Sequence, residues 1–193
     1  LGQRFEISFN AYKPFACGIV IHPSIDACAQ LREQGVKPED VTRIDLRVHP
    51  LVLELTGKKT PQDGLQGKFS VYHGCAVGLI FGRAGEEEFS DHIVRREDVV
   101  TLRDKVNAVV DPSVREESVY VTAHLKDGRT VDVHVEHAIG SLQRPMTDAM
   151  LERKFHDLAD PILGAERSKQ IIQACWNLSK AANLKDLLAL LKP

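Results

Sequence analysis

Ser118-Val119-Tyr120-Val121-Thr122-Ala123-His124-Leu125-Lys126-Asp127-Gly128-Arg129-Thr130-Val131-Asp132-Val133-His134-Val135-Glu136-His137 carries the clearest local signal in the chain. Val119, Val121 and Ala123 alternate with Tyr120, Thr122 and His124, and Val131, Val133 and Val135 alternate on the return. Such alternation suits strands with one buried face, because successive side chains point to opposite sides of a sheet. Asp127-Gly128 supplies the turn, so the stretch reads as a β-hairpin. The same alternation puts His124 and His134 on the wet face, opposite the valines. With His137 they make a tempting metal trio, but no acidic second shell is evident beside them, and no metal site is assigned.

Upstream, Val41 to His49 alternates in the same way, with Val41, Ile44, Leu46 and Val48 on one face and Arg43, Asp45 and Arg47 on the other. Pro50 ends this strand, since proline has no amide hydrogen for a ladder. Leu51 to Leu55 reads as a short helical turn. Ile25, Cys28 and Leu31 recur at helical spacing, and Gly35 closes that helix. Lys68 to Phe81 reads as a buried helix with Phe69, Tyr72, Cys75, Ala76, Leu79 and Ile80 on its apolar face. Gly74 and Gly78 would allow close packing there. Val99 to Val106 reads as a second helix, and Arg4 to Asn10 as a short strand. The fold expected for residues 1–141 is α+β, a small antiparallel sheet with helices on one side.

The texture changes after Ser141. Thr147 is a helix N-cap, with Met150, Leu151, Phe155 and Leu158 at helical spacing. Pro161 is expected to interrupt, and Ile162 to Leu178 and Leu184 to Leu191 read as further helices. Residues 142–193 thus form a C-terminal helical tail. Trp176, Leu184, Leu187, Leu188 and Leu191 give it more apolar surface than a short tail can hide. Self-association as a homodimer, or collapse onto the α+β part, is therefore expected.

The chain has 193 residues, 43% hydrophobic and 27% charged, which argues for a folded core rather than disorder. The formal net charge of −2 argues against non-specific nucleic-acid binding. No apolar run approaches the ~20 residues of a membrane span, and no signal peptide is read. The four cysteines, Cys17, Cys28, Cys75 and Cys175, form no Cys-x-x-Cys pair. They read as small core residues suited to a reducing cytoplasm. A start at Leu1-Gly2-Gln3 rather than methionine suggests a fragment.

Two stretches carry candidate chemistry. Tyr12-Lys13-Pro14-Phe15-Ala16-Cys17-Gly18-Ile19-Val20-Ile21-His22-Pro23 has a cation at its start, a histidine at its end and an apolar run between. His22-Pro23-Ser24-Ile25-Asp26 reads as a helix start, with Asp26 favouring the positive end. A lysine head near that end makes a carboxylate-binding corner, although such Lys and His pairs are more often structural. Thr56 to Gly67 holds three glycines, Pro61 and the adjacent Lys58 and Lys59. It is not a phosphate loop: Val52 stands where the motif needs glycine, and Lys59 takes the hydroxyl position. It reads as a solvated loop or as a mobile cationic flap over an anionic substrate. Lys68, Ser70, Tyr72 and His73 could face the same cleft as Lys13.

The Tyr12 to Pro23 stretch resembles the C-terminal part of the MmgE/PrpD family, whose members include 2-methylcitrate dehydratases, cis-aconitate decarboxylases and iminodisuccinate epimerases. Leu55-Thr56-Gly57-Lys58-Lys59-Thr60-Pro61, Gly67-Lys68-Phe69-Ser70-Val71-Tyr72-His73 and Gly140-Ser141-Leu142-Gln143-Arg144-Pro145-Met146-Thr147 extend the resemblance along the chain. It implies that residues 1–141 are a lid domain and that residues 142–193 return to a large helical domain preceding this segment. It implies a cytoplasmic, cofactor-free lyase of the 2-methylcitrate dehydratase kind, acting in propionate catabolism on a small polycarboxylate. It further implies that Lys13 binds carboxylate or does acid–base work and that His22 orients the site. Lys58, Lys68 and Ser70 are weaker candidates for substrate contact. The decarboxylase branch has a histidine five residues after the lid lysine, where this chain has Gly18; dehydration and epimerisation are both left open. The isolated segment would itself be inactive, as a binding or assembly module.

Overall fold

In the structure, a computed structural model that describes residues 2–192, β1 (Val41–Val48) is the centre of the sheet. Its alternation buries Val41, Ile44, Leu46 and Val48 and leaves Arg43 and Arg47 in water. β3 (Val119–Leu125) pairs with it antiparallel, and β4 (Thr130–Val135) continues from β3 through the expected hairpin, with Gly128 at φ +85°. β2 (Val106–Val110) lies on the other side of β1 and runs parallel to it, giving the order β2-β1-β3-β4. The sheet is therefore mixed rather than wholly antiparallel. The helix expected over Val99 to Val106 ends at Arg103, and the β-branched run that follows extends along β1, with Ile44 opposite Val106. The strand expected over Arg4 to Asn10 is instead a 3-10 turn, Glu6–Phe9, and joins no ladder among the described residues.

Helices cover the buried face. α1 (His22–Glu33) lies against β3 and β4 and packs on α4 (Val71–Phe81). The two glycines of α4 permit this approach: a Cβ at Gly78 would stand 2.8 Å from the Ile25 carbonyl oxygen. Gly35, at φ +87°, follows α1 as read from sequence. α2 (Pro50–Thr56) is capped by His49, whose Nδ1 accepts the Leu51 N–H. α3 (Gly64–Gly67), α5 (Asp91–Val94) and α6 (Glu97–Arg103) complete the layer. α4 begins three residues later than expected. Ser70 caps it by accepting the His73 N–H, and Phe69 is left exposed.

His73 is wholly buried in α4 and uses Nε2–H to donate to the Glu88 carbonyl at 2.9 Å. Burial holds its pKa down to about 4, with the Arg103 guanidinium also lowering it and the Glu88 hydrogen bond opposing. The folded protein thus keeps this imidazole neutral where the unfolded chain, at 6.5, already binds a proton. The contribution is present above about pH 6.5 and is lost as pH falls toward 4, by an amount on the order of 2–3 kcal/mol. Urea unfolding at several pH values is expected to show this loss in the native chain and a flatter profile in His73→Leu. Equal slopes would remove His73 as the cause.

The chain divides into two compact units, one up to Pro145 and one from Met146 onward. In the second, Thr147 caps α7 (Asp148–Leu163) by accepting the Met150 N–H at 3.3 Å. Pro161 does not interrupt as expected; it sits in the last turn, and the helix ends at Gly164, φ +81°. α8 (Ala165–Trp176) packs on α7, and α9 (Lys185–Leu190) packs on α8. Ile171 is buried, whereas Trp176, Leu184, Leu188 and Leu191 are exposed in the single chain.

A cationic corner as the candidate functional site

The segment 12–18 has no regular structure of its own and is held through its amides. Tyr12 N–H donates to the Gly140 carbonyl at 2.8 Å, Ala16 N–H to Ala84 at 2.9 Å and Gly18 N–H to Lys68 at 3.1 Å. Phe15 is buried edge-on to the His22 ring, centroids 5.3 Å apart. His22, 2% exposed, opens α1 and so braces the chain two residues beyond Lys13. Cys17 is buried nearby, and burial pushes its thiol up to about 12, against the pull of the Lys13 and Lys68 ammonium groups. The Gly18–Lys68 backbone hydrogen bond sets the segment of Lys13 beside that of Lys68. Lys68 also pairs with Glu86 at 2.7 Å.

Gly18 holds this corner tight. A Cβ there would meet Thr56 Cγ2 at 3.3 Å and the Lys68 carbonyl oxygen at 3.6 Å. A bridge between Gly57 and Ser70 runs alongside. Lys58, the next residue, is exposed, and Lys59 lies 5.6 Å from the Tyr72 ring centroid. Ser70 was expected to touch substrate. It is wholly buried and its hydroxyl is committed to the α4 cap, so it supports the corner from beneath.

The Thr56 to Gly67 stretch is tied down over much of its length. Asp63 caps α3 by accepting the Gln66 N–H, Gly64 N–H donates to Asp91 at 2.7 Å, and Arg95 donates to the Gln62 carbonyl at 2.9 Å. Its glycine at 64 serves contact rather than freedom, since a Cβ there would stand 2.0 Å from the Phe89 carbonyl oxygen. Its continuous exposed run is Lys58 to Thr60, with Gln62 and Leu65 exposed singly beyond it.

Sequence reasoning missed the support beneath Lys13. Asp26, 4% exposed, accepts from Gln30 Nε2 and the Ile139 N–H, each at 3.0 Å, and pairs with Arg144. Gly140 N–H in turn donates to the Arg144 carbonyl at 2.8 Å. Gly140 has φ +90°, and a Cβ there would stand 2.3 Å from the Tyr12 carbonyl oxygen. Asp26 had been read only as a partner for the helix dipole. The usable signal was a carboxylate placed between Ile25 and Ala27 in an apolar first half of the helix.

The histidines of the hairpin do other work. His124 lies 2.9 Å from Asp45 on β1, an acidic partner supplied from across the sheet. His134 stacks on Tyr120 with centroids 4.1 Å apart, and His137 faces Glu117 at 3.3 Å. Among the described residues no group of three or more His, Cys, Asp or Glu is placed to hold a metal ion.

The MmgE/PrpD C-terminal domain family matches residues 15–178. The 2-methylcitrate dehydratase of Escherichia coli (strain K12) is 24% identical over 151 residues, covering 72% of this chain and 31% of that protein. The cis-aconitate decarboxylase-like protein oryM of Aspergillus oryzae is 22% identical, covering 99% of this chain and 42% of its own. The cis-aconitate decarboxylase of Aspergillus terreus is 24% identical with the same two shares, 99% and 42%. The chain thus spans between 31% and 42% of the length of these relatives.

Proposed function

This chain belongs to the MmgE/PrpD family, and on that premise we propose that it is the lid-bearing C-terminal part of a 2-methylcitrate dehydratase-like lyase. The observation that carries this reading is the Gly18–Lys68 backbone hydrogen bond, which joins the segment of Lys13 to that of Lys68. A dehydratase of this kind removes a proton next to a carboxylate, and cations hold the negative charge that develops before water leaves. Lys13 and Lys68 fit that task. Lys58 is close enough along the chain to the Gly57–Ser70 bridge to extend it. His22 acts by bracing Phe15 and the Lys13 arm. Residues 1–141 serve as the lid, and residues 142–193 join a large helical domain that supplies the general base. By the family resemblance, the reaction uses no cofactor and takes place in the cytoplasm.

Decarboxylation is the second reading, favoured by the 99% coverage of this chain in the two decarboxylase-named relatives. Gly18 stands against it, because the space at its Cα is already bounded by Thr56 and Lys68. The polypeptide that carries this chain, assayed with 2-methylcitrate, cis-aconitate and iminodisuccinate, is expected to dehydrate the first. Release of carbon dioxide from cis-aconitate, or epimerisation of iminodisuccinate without water loss, would replace the dehydratase assignment.

The leucine face of the tail supports a homodimer. Each such side chain moved out of water contributes ~1.5–3 kcal/mol. Light scattering is expected to give the mass of two copies of this chain, and Leu188→Glu is expected to return the mass of one. A single-copy mass for the unaltered chain would refute the dimer.

A further inference from the structure

Lys68 is not waiting empty-handed at the corner: the Glu86 carboxylate sits 2.7 Å from its ammonium. We infer that Glu86 is a resident competitor, holding the Lys68 ammonium that a substrate carboxylate would take, so that binding exchanges one carboxylate for another. This rests on the polycarboxylate reading above. Lys13 and Lys68 stand on segments joined by the Gly18–Lys68 backbone hydrogen bond, and an anion beside Lys68 eases the repulsion between neighbouring cations. Glu86 supplies that anion from within the chain.

The geometry suits an exchange rather than a permanent bond. The Lys68 side chain is 28% exposed and that of Glu86 57%, so the acid can swing into water while the cation stays in place. The turn that presents Glu86 is tied by hydrogen bonds. The buried Glu88 carboxylate accepts from Arg83 Nε and from Gly85 N–H, both at 2.8 Å, and Phe89 N–H donates to the Glu86 carbonyl at 3.1 Å. The same turn is tied to the Lys13 arm, since the Ala84 carbonyl accepts the Ala16 N–H. Glu86 is thus delivered to Lys68 by the segment that also places Lys13. Its neighbour Glu87 is exposed and opens the 3-10 turn Glu87–Phe89, which makes it a natural control for charge alone.

A half-exposed ion pair contributes a factor of about two to five to an equilibrium constant. Citrate titrated into the isotope-labelled chain at neutral pH and low ionic strength, followed by amide NMR shifts, is expected to bind Glu86→Gln about two- to fivefold more tightly than the native chain. Glu87→Gln, which removes the same charge next door, is expected to tighten binding less. In a Lys68→Ala background the Glu86→Gln effect is expected to vanish. Equal effects of the two glutamate variants, or an effect that persists without Lys68, would overturn the competition. So would binding that depends on Lys13 and Lys68 but ignores Glu86, and that outcome would leave the polycarboxylate reading standing. The lack of saturable citrate shifts in every variant would sink both.

Discussion

Replacing Lys13 by alanine in the polypeptide that carries this chain is expected to lower kcat/KM on the proposed polycarboxylate substrate about a hundred- to ten-thousandfold. The residue is exposed, so its loss removes little packing and the melting temperature is expected to stay nearly unchanged. Its effect is therefore separable from folding. Lys13→Arg decides between its two roles. A guanidinium keeps the positive charge but does not release a proton near neutral pH, so arginine restores KM if Lys13 holds a carboxylate and leaves kcat low if it transfers a proton. A drop of less than about tenfold for alanine would remove Lys13 from the chemistry, because a single oxyanion-stabilising group is ordinarily worth more than that.

Asp26→Ala is expected to destabilise the α+β unit by about 3–5 kcal/mol, because it strands the groups that a buried carboxylate now satisfies. Those are the Ile139 N–H, Gln30 Nε2 and the Arg144 guanidinium, which is partly exposed and can recover some hydration. A fall in melting temperature of roughly 10 °C corresponds to the lower end of that range. The functional consequence follows the chain of contacts. Arg144 and Gly140 seat the Tyr12 amide, so loosening Asp26 frees the arm that carries Lys13. Hydrogen exchange at the Tyr12 amide is expected to accelerate more than exchange in β3. Uniform acceleration in the two places would mean that Asp26 acts on global stability alone.

The hairpin, β1, α1 and the Thr147 cap were legible because their signals lie in consecutive residues. Alternation, a Gly at a positive-φ turn and a hydroxyl three residues before a free amide are local facts. β2 was not legible because it is five residues long and begins at Val106, where the helical pattern from Val99 ends, so the period changes inside one reading window. Ser70 was not legible as a cap, because a hydroxyl at a helix start suits capping and ligand contact equally. Only its complete burial tells them apart.

The sequence by itself determined the α+β character of the first unit, the helical tail, the family resemblance and the identity of Lys13, Lys58 and Lys68 as candidate cations. Tertiary structure alone decided which of the segments that carry those cations lie side by side. The segments of Lys13 and Lys68 are joined where Gly18 N–H donates to the Lys68 carbonyl, and no local period encodes that approach. The Asp26–Arg144 clamp and the Glu86–Lys68 pair are likewise long-range. Each depends on elements whose positions are set by burying Ile25, Ile44, Leu46 and Leu79 in one core. Propensity and pattern act over a few residues, whereas a site assembled from separate segments is set by the packing that brings those segments together.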